Sequence, residues 1–568
     1  LVVLTTGTML VVLLFAEGPM DPLVFSSQAE QALASLVGTL RAGNKQDLST
    51  RLVRVSKDGS ISEKALARAR MAQDIFDACD LGRLPSWLAS AEMEKKGKFS
   101  TRSRRYGCFT DNLPNDSLDK QARLYFSPRE DRVLDGEAVD YANQYVSSFY
   151  PVHRYGRLRP LDLDEAAMCF HNSGLGFPVV SSDVGQHFQQ VLAISRDIWN
   201  SGADPEWISV LPGLPGYRGQ PLGPPHEDRN PGGCSKTRLI FMMPRALANL
   251  EKCIQKPLFD ELKSNPTFCA WQSAEHVDRE VTRLLTKGKR ILSIDFKRFD
   301  TSIPFSVMSK VYAIYRSWFV PEAAPLINFC EEVVKRSGII LPDGDGEGGD
   351  YVVLPGSSRT RGMPSGCVMT NMTDSNVNAW VMAYSAKRLK CRISAGYFQG
   401  DDGLISFDGD PSLADLSGVL STELGMTLSA DKCSYEKDQV TFLQNVHHRS
   451  YLVDSLNRGV RLIMHATNAM SSHERVDDAE YRADDFDTIR YAQQAGYCLH
   501  HPSATQLCDW LGVNDDFARV NLARVKRDPD YFSRACEAVR RKDSNSQKGF
   551  SPNALLSSPV FQYLLSKV

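Results

Sequence analysis

Two adjacent acids, Asp401 and Asp402, sit inside the strand-like run "YFQGDDGLISF" (Tyr397 to Phe407). Neighbouring carboxylates repel, so a chain that keeps two together needs a reason. One reason is turn geometry, since Asp402-Gly403 is among the strongest two-residue hairpin signals. The other is chemistry. Upstream, "KRILSIDFKRFDTSIP" carries a buried-strand pattern, Ile291, Leu292 and Ile294, that ends in Asp295. An ionised carboxylate in that apolar setting is costly unless it is paired or binds a cation. If the two strands are neighbours, Asp295, Asp401 and Asp402 share a site whose mutual repulsion Mg²⁺ relieves, with Mn²⁺ as the substitute. Mg²⁺ takes one or two protein carboxylates and fills its shell with water and substrate phosphates. Two such ions about 4 Å apart suit in-line phosphoryl transfer: one activates an attacking hydroxyl, the other stabilises a leaving pyrophosphate.

The elements around these acids must position a substrate. "RGMPSGCVMTNMTDSNVNAWVMAY" opens as a glycine-hinged turn at Gly362, Pro364, Ser365 and Gly366. It continues as a helix with Val377, Trp380, Val381 and Tyr384 on one face. Ser365 and Thr370 are suited to bonding a sugar or phosphate; an ordinary loop–helix junction is the alternative. In "CSKTRLIFMMPRALANLEKCIQKPL", Lys236 and Arg238 fall on one face of a strand and suit a triphosphate. The neighbours Leu239, Ile240 and Phe241 are too apolar for a casual exposed strand. "EKKGKFSTRSRRYG" carries Lys95, Lys96, Lys98, Arg102, Arg104 and Arg105 with Phe99 and Tyr106 interleaved. It reads either as a phosphate-contacting loop or as a solvated charge run. The basic residues from Arg524 to Lys542 pose the same choice.

The chain has 568 residues, 42% hydrophobic and 24% charged, enough for several subdomains round a large core. The formal net charge of −2 leaves no global basic field, so nucleic-acid affinity must come from local patches. The thirteen cysteines include no C-x-x-C pair, which argues against zinc ribbons and for free thiols. "LVVLTTGTMLVVLLFAEGPM" is apolar from Leu1 to Ala16, short of the roughly 20 residues that span a bilayer. With no Lys or Arg before Arg41 it lacks a signal peptide's basic start. It reads as a buried strand or a disordered artefact in preference to a membrane anchor, in a chain that is a fragment or a reading frame extended upstream of Met9 or Met20, and no membrane partner is expected. Residues 26 to 95 read as mostly helical, stopping at Gly82 and Pro85. Ser209 to Gly233 reads as a long Pro/Gly-rich loop between subdomains. "LPDGDGEGGDYVVLPG" begins like a calcium loop, but its twelfth position is Leu354, so it reads as a flexible loop. His447 and His448 read as a strand end with opposite faces, not a metal pair.

These pieces, in this order, resemble the viral RNA-dependent RNA polymerases of small double-stranded RNA viruses, picobirnaviruses first and partitiviruses second. The likeness runs from about Asn172 to His448. The resemblance implies an α+β fold of the right-hand polymerase type: fingers, palm and thumb, with an antiparallel-sheet palm, largely helical fingers and thumb, and an encircled channel. It implies an N-terminal extension over 1–95, fingers over 96–285, a palm with a fingers insertion over 286–450, and a thumb and C-terminal region over 451–568. "LSIDFKRFD" is similar to motif A, which makes Asp295 a metal ligand and Asp300 the ribose sensor. "GMPSGCVMTNMTDS" is similar to motif B, with Ser365, Gly366, Thr370 and Asn371 at the nucleotide. "FQGDDG" is similar to motif C, with Asp401 the principal metal ligand and Asp402 supporting. "LGMTLSADKC" resembles motif D, with Lys432 the general acid for pyrophosphate release. "FLQNVHH" resembles motif E. "SKTRLI" resembles motif F, with Lys236 and Arg238 at the triphosphate. "NSGLGFP" resembles motif G, with Ser173 and Gly174 beside the template.

One departure concerns the sugar. Many relatives carry Asn four residues after the motif B threonine; here that residue is Asp374. Two acids at Asp300 and Asp374 repel unless one is protonated or bridged. The resemblance implies template-directed RNA synthesis for genome replication and transcription. Its partners are RNA template and product, nucleoside triphosphates and a viral capsid protein, in the virion interior and host cytoplasm. A reverse transcriptase is the enzyme alternative, but it carries a bulky sugar gate where this chain has Asp300. A catalytically silent RNA-binding scaffold is the non-enzyme alternative; clustered acids with no metal to bind would destabilise it.

Overall fold

A four-stranded antiparallel sheet organises the middle of the chain. The computed structural model describes residues 78–79, 81–93, 115–127, 131–169, 175–178, 184–223, 234–342, 351–450, 460–461, 488–489, 492–493, 495–496, 498, 500–515, 518–542 and 556–568. In chain order the strands are β1 (Leu214–Gly223), β2 (Cys234–Met242), β3 (Ile291–Ile294), β4 (Ile339–Pro342), β5 (Tyr351–Leu354), β6 (Arg392–Gln399), β7 (Asp402–Asp408), β8 (Ser434–Glu436), β9 (Gln439–Phe442), β10 (Asn445–His448) and β11 (Val460–Arg461). The central sheet has the order β6-β7-β3-β8, and β11-β10-β9 form a smaller sheet after it. The helices that matter for the site are α1 (Gly136–Ser147), α2 (Arg245–Leu262), α3 (Ala274–Thr286), α4 (Phe305–Trp318), α5 (Ala324–Arg336), α6 (Thr370–Arg388) and α7 (Leu413–Glu423).

Both faces of the central sheet are covered, which explains why β3 and β7 are apolar runs and not alternating ones. Leu292, Ile294, Phe398, Ile405 and Phe407 face the main core. Ile291, Tyr397 and Leu404 face a second cluster built on Val277, Val281, Leu284 and Leu285 of α3. Helix α6 is buried on every side from Met372 to Ala386, not on the one apolar face that its sequence shows. Some of its polar groups are bonded there: Asn376 Nδ2 donates to Tyr315 Oη at 3.1 Å, and Trp380 Nε1 donates to Asn143 Oδ1 at 2.8 Å.

Two expected loops are partly strand. Within Ser209 to Gly233, β1 pairs antiparallel with β2 from Leu214–Met242 to Gly223–Cys234. Pro215 and Pro221 fit because β1 is paired on one side only, where missing N–H groups cost least. In the acidic glycine-rich excursion, β4 and β5 form a hairpin, Ile339 opposite Leu354, and 343–350 lie outside the described residues.

The C-terminal helices Ala504–Asn514, Ala523–Arg527, Pro529–Lys542 and Pro559–Lys567 surround a core of their own that includes Cys79. Residues 81–93 bridge this unit to the sheets. Trp87 stacks on His448 at 4.7 Å, and His501 Nε2 lies 2.9 Å from Glu92 Oε1, both buried. His447 points the other way, into the interior, where burial drives its pKa down to about 3 and keeps it neutral beside Asp278. No disulfide joins the described cysteines. Among the described residues no helix is long and apolar enough to cross a membrane. The apolar start of the chain lies outside them.

Candidate active site

The register brings the three aspartates together. β3 and β7 pair from Ile291–Ser406 to Ile294–Gly403, so that Asp295 and Asp402 are the residues that follow and precede the last pair on the two strands. β6 and β7 pair as far as Gln399–Asp402, so the two-residue turn is Gly400-Asp401. The expected turn at Asp402-Gly403 is therefore two residues late. Gly400 has φ +61 while Asp401 does not enter the positive region, the sign pattern of a type II′ hairpin turn. Gly403 is small for another reason: a Cβ there would lie 2.9 Å from Ile294 Cδ1.

The turn is gripped by α6. Ser375 Oγ accepts the Gly400 N–H at 2.8 Å. Asn378 Nδ2 donates to the Gly400 carbonyl at 3.0 Å and lies 3.4 Å from that of Asp402. Asn371 accepts the Trp271 Nε1–H at 3.0 Å. Ser375 and Asn378 are candidate positions at this turn that the sequence pattern alone did not single out. Their signal was spacing: with Asn371 they form a polar row at i, i+4 and i+7 on a helix that is otherwise core.

Asp295 is tied to the segment after α7. Its carbonyl accepts the Ser429 N–H at 2.7 Å, and Lys297 N–H donates to Thr427 O at 2.8 Å. Lys432 Nζ lies 3.2 Å and 3.4 Å from the two carboxylate oxygens of Asp295. Across the site, Ser365 Oγ donates to Asp300 Oδ2, and Met363 N–H donates to the Asp300 carbonyl at 2.6 Å. Thr370 Oγ1 donates to Pro364 O at 3.0 Å and Cys367 O at 2.8 Å, closing the turn from inside. Ser365 O accepts the Phe241 N–H of β2 at 2.7 Å.

This geometry has relatives. Residues 234–463 match the family model described as viral RNA-dependent RNA polymerase. A potential RNA-dependent RNA polymerase of human picobirnavirus is 26% identical over 322 residues, 56% of this chain and 56% of the relative. The chain thus spans little more than half the length of that curated relative. The crystal structure of a human picobirnavirus RNA-dependent RNA polymerase superposes with TM-score 0.69 at 17% identity, covering 93% of this chain and 97% of the other. An insertion-loop deletion mutant of that polymerase gives 0.68 at 18% identity, over 94% and 97%. The fold is that of a viral RNA-dependent RNA polymerase. It is a right-hand polymerase fold of mixed helix and antiparallel sheet, and picobirnavirus polymerases are its relatives in sequence and in structure.

The segments that resemble motifs A, B, C and D lie next to one another. Asp295, Asp401 and Asp402 lie at the adjoining ends of β3 and β7, and Asp300 and Ser365 are bonded to each other. All five are half-buried, which leaves them open to a ligand. Among the described residues no three His, Cys, Asp or Glu side chains are gathered tightly enough to hold an ion alone. In this structure the Lys432 ammonium sits on Asp295. The hard oxygen donors still fit Mg²⁺, which needs only one or two carboxylates beside water and phosphate.

Asp374 resolves the clash foreseen with Asp300. It is buried on α6, and burial together with the Asp300 and Asp401 charges holds its carboxyl well above the usual range. That direction favours its neutral form. Lys236 and Arg238 stand on β2 opposite Gln220 and Arg218, but their side chains lie outside the described residues. Ser173, Gly174, Lys95, Lys96, Arg104 and Arg105 lie outside them altogether.

Proposed function

We propose that this chain is an RNA-directed RNA polymerase that extends an RNA strand on an RNA template by two-metal-ion nucleotidyl transfer. The observation that carries the reading is the β3–β7 register, which ends at Ile294–Gly403 with Asp295 and Asp402 at its edge, beside an Asp401 turn anchored to α6, within this fold. Bound at Asp295 and Asp401, Mg²⁺ would supply Lewis acidity to the attacking 3′ hydroxyl and charge relief to the pyrophosphate.

The chain's own residues do the rest under this reading. Asp300, oriented by Ser365, receives the ribose hydroxyls. A neutral Asp374 adds a hydrogen-bond donor without adding charge. Lys432, released from Asp295, donates a proton to the leaving pyrophosphate. Lys236 and Arg238 meet the triphosphate, and the basic run from Lys95 to Arg105, with Ser173 and Gly174, lines the template path. Fingers over 96–285, palm over 286–450 and thumb over 451–568 close round the RNA. The work is genome replication and transcription, in the virion interior and host cytoplasm, with capsid protein as a further partner.

The test is incorporation of labelled ribonucleotides on single- and double-stranded RNA templates, with Mg²⁺ and Mn²⁺ compared. Products complementary to the RNA template support the reading. Synthesis from deoxynucleotides in preference to ribonucleotides would replace it with a reverse transcriptase.

A further inference from the structure

Helix α6 begins without a cap of its own. Its N-cap residue is Met369, whose side chain makes no capping hydrogen bond. The first amides of a helix need acceptors from somewhere. For the turn that leads into α6, an acceptor comes from another helix. Glu251 of α2 is 0% exposed, and its Oε2 accepts the Val368 N–H at 3.1 Å. The Val368 and Met369 amides both favour its charged form.

A fully buried carboxylate is an expensive way to fill space. The groups that face Glu251 are Tyr312 from α4, Cys330 from α5 and Cys367 from the turn itself. Its Oε1 has no hydrogen-bond partner among the described residues. What the carboxylate does hold is the end of the turn that carries Ser365 and Gly366. The other end is held by β2: Phe241 N–H donates to Ser365 O, and a Cβ on Gly366 would lie 2.0 Å from Phe241 O. Two successive elements, β2 and α2, thus clamp the turn from both ends.

Resting on the polymerase reading above, we propose that Glu251 is a positioning residue for the nucleotide site, fixing through Val368 and Met369 the turn that presents Ser365 to Asp300. Burial lifts its pKa to about 8 while the two amides oppose the lift. The carboxyl therefore titrates just above neutrality. The anion holds the amides more strongly than the acid does, so the turn is firmer at pH 9 than at pH 7.

Glu251→Gln is a near-isosteric copy of the acid form. In single-nucleotide incorporation by the full chain, this variant should match the wild type near pH 6.5. At pH 9 its nucleotide KM should be about tenfold higher with kcat nearly unchanged, the loss of one charge-assisted hydrogen bond. At pH 9, without substrate, amide exchange of the peptide covering 363–373 should be faster in the variant. Glu251→Leu should raise KM at both pH values, and if it fails to fold, the Gln variant decides. Equal KM and equal exchange at pH 9 would overturn the proposal, as would a pH-independent loss of kcat alone. A wild type that incorporates nothing would end the polymerase reading instead, and amide exchange would still decide the role of Glu251.

Discussion

Lys432 Nζ lies 3.2 Å from Asp295 Oδ1, so an ammonium stands where a divalent cation would draw on the same carboxylate. The pair is partly exposed, at 56% and 33%, and contributes at most about 1 kcal/mol. A cation therefore displaces it easily. Lys432→Leu should tighten Mn²⁺ binding by at most about fivefold. It should also slow incorporation about a hundredfold or more, through loss of the general acid. Mn²⁺ titration followed by spin resonance, beside single-turnover kinetics, checks the two opposite effects. Weaker Mn²⁺ binding would show that Lys432 does not compete for Asp295.

Ser375→Ala removes the acceptor of the Gly400 N–H. Leaving a buried amide unpaired costs about 1–3 kcal/mol. The variant should melt earlier and lose incorporation, because Asp401 is the other residue of that turn. RNA affinity should be unchanged. A variant with wild-type incorporation would separate the turn's anchor from catalysis.

How far these anchors could be read from sequence differs element by element. Asp295 and Asp401-Asp402 were legible because carboxylates at the ends of apolar strands are anomalous. Ser375 and Asn378 were not, because serine and asparagine on a helix normally mean a solvated face, and only tertiary burial shows that they bond the turn. The turn itself was misplaced for a related reason. Asp-Gly is a strong hairpin signal, but Gly403 is set by its contact with Ile294, and Gly400 supplies the positive φ. The strand β1 was hidden by its prolines. Glu251 gave no signal at all, since its partner is a backbone amide far along the chain.

Asp374→Asn copies the neutral form of the buried acid. A carboxyl whose folded pKa is raised gives stability that is fully present below its unfolded value near 4 and lost as pH rises through the folded value. The wild type should therefore lose stability with rising pH relative to the variant, over a window that opens near pH 4. Urea unfolding of both proteins from pH 5 to 9 measures this difference. Ribose discrimination should survive in the variant. A constant stability difference across the range would mean that Asp374 is ionised when folded.

Gly366→Ala meets both a φ of +128 and a Cβ position 2.0 Å from Phe241 O. The turn must move off β2, at a cost of about 1–3 kcal/mol in backbone strain alone. Nucleotide KM should rise while the melting of the C-terminal helices is unaffected. Limited proteolysis within 362–369 should become faster. Unchanged KM would detach this turn from the nucleotide site.

The central claim is that the Gly400-Asp401 turn presents a catalytic carboxylate. Its most direct test compares Asp401→Asn with the wild type in template-directed incorporation of a single ribonucleotide, with template affinity measured on the same preparations. The account predicts at least about a hundredfold loss of incorporation with unchanged RNA affinity. Incorporation at the wild-type rate by a folded Asp401→Asn protein would contradict it.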